Sequence, residues 1–164
     1  MIFKTRKHNT DFYITLLNLS RNMFFYKTIN LKDVFETRIY LMFMHFSVIL
    51  IIFKHKKINF PQEIYDGLFH CIENNLRELG LGDVGVNKKM KDLNKIFYDI
   101  LLKINETDKS FKANKKLVIK YFVELTNSED NKYKLFDEYF TDFYHFCFEM
   151  KPNTMLKGAI NFKG

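Results

Sequence analysis

Proline, glycine and cysteine are scarce in this chain: two, six and two residues among 164. With so little backbone punctuation, no strand-and-turn rhythm is visible. The two cysteines, Cys71 and Cys147, lack motif spacing, so neither a disulfide framework nor a CxxC zinc site is supported, and a reducing compartment is the simpler setting. Arginine is rare too, with Arg6, Arg21, Arg38 and Arg77 the only four among 26 basic residues. Asn and Ile are plentiful, a bias that AT-rich coding produces, so the placement of charge says more than its total. Acidic residues are thin in the first third: residues 1–60 carry ten Lys/Arg against three Asp/Glu, while residues 61–164 carry sixteen of each, which puts the whole +7 excess at one end. Such an asymmetry favours a phosphate-bearing partner, anionic lipid or RNA, over a neutral one. The N-terminus has no apolar core or small-residue cleavage site of a secretory signal, and Lys4, Arg6 and Lys7 alone make no transit peptide, so a mature chain starting near Met1 is expected. Nucleophile-elbow, HExxH and P-loop motifs are all missing, which points away from an enzyme.

What is abundant is aromatic. Nineteen Phe and nine Tyr in a chain that is 47% hydrophobic suit a helical protein packed with bulky rings. The expected fold is all-α, a single compact bundle of about six helices over residues 1–150 with a loosely held tail over 151–164. Phe12, Leu16, Leu19, Met23 and Tyr26 recur at helical spacing over Asp11 to Tyr26, with Thr10 or Asp11 as N-cap. Ile39 to Phe53 is uncharged and almost wholly apolar; it falls short of the roughly 20 residues that span a bilayer, so it reads as the central buried helix, with membrane docking as the alternative. Ile64, Leu68, Ile72, Leu76 and Leu79 stripe a third helix, and Val86, Met90, Leu93, Phe97, Ile100 and Ile104 a fourth. A short connection favours these two as a facing antiparallel pair. Residues 105–114 read as a linker, and helices follow over about 115–126 and 131–150.

The connection between the third and fourth helices holds half of the glycines. Gly80 can close the preceding helix at positive φ, Gly82 and Gly85 can let backbones approach, and Asp83 can cap the next helix. Gly80, Gly82 and Gly85 also match G-x-G-x-x-G, but a dinucleotide site needs a strand before the motif and the residues before it are helical in pattern. His45 interrupts the apolar run and reads as a core histidine with satisfied ring nitrogens. Arg38, one heptad earlier on the same face, requires a carboxylate partner, Asp83 or Glu78. Lys88, Lys89 and Lys91 open the fourth helix, where the helix dipole gives them no support, and suit an exposed binding patch. Asp142 and His145 share a face, but His145 and Cys147 do not, so no metal site is expected.

The run Leu76-Arg77-Glu78-Leu79-Gly80-Leu81-Gly82-Asp83, continued by Val86, Lys88, Lys89, Lys91 and Phe97-Tyr98, resembles the ubiquinol-cytochrome c chaperone family. Upstream, Ser20-Arg21, Phe25-Tyr26 and Asp33-Val34-Phe35-Glu36-Thr37-Arg38, with His45 following, agree in order. The similarity covers about Leu16 to Ile104. It implies an all-helical, non-enzymatic assembly factor without cofactor or metal, whose client is newly made cytochrome b of the ubiquinol-cytochrome c oxidoreductase. A partner assembly protein and the ribosome are implied by mitochondrial members. The lack of their long N-terminal extension suggests a bacterial protein in the cytoplasm, peripheral to the inner membrane and in contact with anionic lipid; the matrix side of the mitochondrial inner membrane is the alternative. The expected binding surface is Arg77, Lys88, Lys89, Lys91 and Tyr98, with Asp33, Arg38, His45, Glu78, Gly80, Gly82, Asp83 and Gly85 as structural motif. Met23, Met42, Met44 and Met90 can line a flexible client groove. The competing reading is a basic ribosome- or RNA-binding module, whose affinity would fall steeply with salt.

Overall fold

A helix that is apolar on every side must be covered on every side, and the chain wraps itself around one such element. The structure is a computed structural model that describes residues 2–127 and 129–164, with side chains from residue 10 onward in that range. The basic side chains of Lys4, Arg6 and Lys7 therefore lie outside the described ones. The inner rod is α2, Phe35–His55, in which Thr37, Ile39, Leu41 to Ile49 and Ile51 to Phe53 are buried. Its cover comes from α1 (Ile2–Ser20), α4 (Asp83–Lys103) and α6 (Lys132–Phe148), while α3 (Gln62–Glu78) packs mainly on α1. Short helices α5 (Lys115–Tyr121) and α7 (Pro152–Leu156) complete an all-α bundle without strands among the described residues. The helix is long and apolar enough to cross a membrane by length and composition, yet 72% of its most apolar stretch is buried inside the bundle.

Two aromatic clusters fill the space around α2. On one side Phe43 and Phe46 meet Phe97 of α4, the Phe46 and Phe97 rings stacking at 5.3 Å. On the other, His45 packs among Phe25, Tyr139, Phe140 and Phe143, with centroids 4.8 to 5.9 Å away. Ring pairs at these spacings contribute about 0.5–1.5 kcal/mol each beyond their buried area.

Several expected boundaries move. The first helix begins at Ile2 and runs through Thr10 and Asp11, which therefore cap nothing, and it stops at Ser20. There the Ser20 hydroxyl donates back to the Leu17 carbonyl (2.7 Å) and the Tyr26 hydroxyl donates to the Ser20 carbonyl (2.7 Å). One wide π-helical turn, Phe24–Thr28, then swings Phe25 into the core and leaves Met23 exposed. Helices α3 and α4 touch, Phe69 meeting Phe97 at 5.3 Å, but α3 packs chiefly on α1 and α4 chiefly on α2. Residues 105–114 form a closed loop rather than a linker. The Asn105 side chain donates to the Ser110 carbonyl (2.8 Å) and accepts from the Lys112 amide (2.9 Å), and Phe111 stacks on Tyr144 at 5.8 Å. Residues 151–164 are packed, not loose. Met155 and Ile160 are buried, and Phe162 rests on Tyr139, Phe143 and Phe146 at 5.2 to 5.5 Å. The Thr15 hydroxyl donates to the Gly158 carbonyl (3.0 Å), and α1 comes so close that a Cβ on Gly158 would meet Thr15 Oγ1 at 2.7 Å.

Candidate functional site

The corner between α3 and α4 is built as a helix stop followed at once by a helix start. Gly80 sits at φ +96°, its amide donates to the Arg77 carbonyl (2.9 Å), and the Leu81 amide donates to the Leu76 carbonyl (3.3 Å). This pair of bonds satisfies carbonyls that the end of α3 leaves free, and the positive φ suits glycine. Gly82 is itself the N-cap of α4, at φ −74°, and a Cβ there would meet nothing within 4 Å, so close backbone approach does not explain it. Gly85 faces the Leu81 side chain, 3.2 Å from where its Cβ would stand. Asp83 lies inside the first turn and accepts no capping bond; its carboxylate instead stands 3.7 Å from Arg77 Nε across the corner.

Beside this corner, α1, α2 and α3 diverge around a cleft of about 360 Å³. Tyr13 and Leu17 come from α1 and Arg21 from the turn that follows it, Phe35, Arg38, Ile39 and Met42 from α2, and Asn75 and Glu78 from the end of α3 with Leu79 as its C-cap. Leu17, Ile39 and Met42 give it apolar walls, and the Asn75 amide donates to the Tyr13 hydroxyl (3.4 Å) across it. Burial raises the Tyr13 hydroxyl above its ordinary pKa, so it stays protonated. Two guanidiniums and one carboxylate lie around the opening. Arg38 is held by Asp33, with Nε at 2.9 Å and Nη2 at 2.6 Å from the same carboxylate oxygen. That replaces the expected pairing with Asp83 or Glu78: Arg38 is only partly buried, and a carboxylate five residues earlier reaches it first. Among the described residues neither Arg21 nor Glu78 has an ion-pair partner. The arrangement can receive an apolar segment against its walls and meet polar or charged groups of either sign at its edge.

Of the five residues expected to bind, Arg77 stands at the end of α3, and Lys88, Lys89, Lys91 and Tyr98 are on α4. None of them lines the cleft. Arg77 is engaged by Glu73 (3.4 Å) and Asp83 (3.7 Å). Lys89 turns toward Glu36 at the start of α2 (3.7 Å). Lys88 and Lys91 are exposed on α4, and Tyr98, half-exposed, accepts from the Tyr65 hydroxyl at 3.3 Å. His45 is wholly enclosed. A carbonyl can only accept, so its Nδ1 donates to Leu41 O (2.6 Å) and its Nε2 accepts from the Tyr139 hydroxyl (2.8 Å). Burial lowers its pKa to about 3, which keeps the imidazole neutral at physiological pH. Tyr13, Asn75 and the cleft role of Arg21 escaped sequence reasoning. Their signal is weak but real: 13, 17 and 21 fall at four-residue steps, as helical neighbours do, although their polarity is mixed.

A family model described as Ubiquinol-cytochrome C chaperone matches residues 27–118, more than half of the chain. No curated protein and no solved structure matches it.

Proposed function

The chain belongs to the ubiquinol-cytochrome C chaperone family, and from that membership we propose that it holds newly made cytochrome b during assembly of the respiratory complex. The family role is chaperoning in complex III assembly near the inner membrane, which implies action by binding and not by catalysis. One observation carries the choice of surface. Two separated segments of the matched region, represented by Phe35 with Arg38 and by Glu78 with Leu79, line one cleft with apolar walls, joined there by Arg21.

A client whose helices are destined for lipid presents apolar side chains that water penalises, and a walled cleft with a flexible methionine can cover part of them. Polar edges let such a client leave again, because they add little net affinity against water. We place the chain at the inner membrane, at its cytoplasmic face or on the matrix side in an organelle, working beside a partner assembly protein.

The test is co-isolation of pulse-labelled cytochrome b with the tagged chain. Wild type should bring it down, and the double variant Arg21→Glu, Leu79→Asp, which alters only exposed side chains, should recover background amounts. Equal recovery by both would remove the cleft from the proposal, and absence of cytochrome b from the wild-type eluate would remove the client.

A further inference from the structure

The outer face of α4 carries a pattern that neither the core nor the cleft uses. Val84 and Leu102 are 84% and 77% exposed, the most exposed large apolar side chains among the described residues. They stand eighteen residues apart on the same helix, which is about five full turns, so they point the same way. Between them Lys88, Lys91, Lys95 and Tyr98 continue the line at alternating steps of four and three, all within about 40° of it. The three lysines are exposed and, among the described residues, form no ion pair. The helix's three acids lie off the line: Asp83 faces Arg77 (3.7 Å), Asp99 is taken by Lys103 (2.7 Å) and Lys120 (2.8 Å), and Asp92 sits on the flank.

We infer that this stripe is a docking surface for one helix of a partner protein, carrying acidic side chains in its middle and apolar ones at both ends over about 27 Å. Steps of four and three are the spacing by which one helix seats its side chains between those of another. The order of chemistry along the axis selects the occupant. A helix that lies on lipid puts a continuous apolar face into the bilayer, whereas here the middle of the face is cationic. A track for nucleic-acid phosphates gains nothing from bare Val84 and Leu102 at its ends. Facing lysines with carboxylates across a helix pair sets register and excludes partners of the wrong charge, while the two apolar ends bury area.

The experiment places a benzophenone amino acid at position 84 or 102 of the full chain in cells that assemble the oxidoreductase, and sequences the crosslinked peptides. We expect both positions to capture one segment of one partner, with Asp or Glu between the two crosslinked points and helical spacing of its apolar residues. Lys88→Glu, Lys91→Glu, Lys95→Glu should lower both yields at least about tenfold with an unchanged thermal midpoint; if the triple variant loses its transition, Lys91→Glu alone is read instead. Adducts to phospholipid or RNA, capture of unrelated segments from the two ends, absence of any adduct, or yields indifferent to charge reversal would each overturn the inference. Because the stripe shares no residue with the cleft, its failure would leave the cytochrome b proposal standing.

Discussion

At the level of single residues, the most consequential contact is the hydrogen bond that the buried His45 accepts from the Tyr139 hydroxyl. Tyr139→Phe would leave Nε2 buried without a donor, and we expect a loss of about 1–3 kcal/mol in urea unfolding. The same histidine fixes a pH dependence. Its folded pKa is about 3 against an ordinary value of 6.5, so between those values the unfolded chain takes up a proton that the folded chain refuses. Stability should therefore fall as pH drops through that window, by up to about 1.4 kcal/mol per unit, and His45→Phe should flatten that slope while lowering stability at neutral pH. Urea midpoints measured across the window check both statements. The corner glycines separate in the same assay. Gly80→Ala, at φ +96°, should cost about 1–2 kcal/mol. Gly82→Ser, with ordinary φ, open space and a side-chain oxygen at the N-cap, should be neutral or gain roughly a few tenths of a kcal/mol. Burial of His45 was legible because an uncharged run surrounds it; its partner was not, since Tyr139 comes 94 residues later. Arg38 shows the opposite failure, a distant partner expected where Asp33 was close at hand.

At the level of elements, periodicity explains what could be read. The stripes of α3 and α4 repeat every three or four residues, so both helices stand where their apolar residues put them. Which helix each stripe faces does not follow from a period, and α3 lies on α1 because the inner rod takes α4. The end of the chain was illegible for a related reason: Pro152 to Gly164 has no stripe, and its packing depends on Thr15 reaching Gly158 and on rings of α6 receiving Phe162. Deleting residues 151–164 should thus expose α6 and α1 and cost about 3–5 kcal/mol, the worth of two or so buried apolar side chains, measured as a lower urea midpoint. Retention of full stability would show that these contacts add nothing. The Asp99 carboxylate ties α4 to α5, held far below the usual carboxylate range by hydrogen bonds from Lys103, Lys120 and Tyr121. Its contribution is present above the ordinary carboxylate pKa and is lost as pH falls below it.

At the scale of the whole molecule, the chain spends its most membrane-like segment on its own interior and leaves a cleft and a cationic helix face outside. The fold class was legible from scarce glycine and proline and abundant rings. The cleft was not, because each of three helices contributes a few residues of mixed polarity that make no motif until the helices converge. That convergence brings Arg21, Phe35, Arg38, Glu78 and Leu79, far apart in sequence, to one opening. The most direct measurement is the amount of assembled ubiquinol-cytochrome c oxidoreductase, read from b-type haem absorbance in membranes of cells lacking this chain and cells given it back. We expect depletion without the chain, recovery with wild type and no recovery with Arg21→Glu, Leu79→Asp; normal levels in its absence would contradict the chaperone role outright.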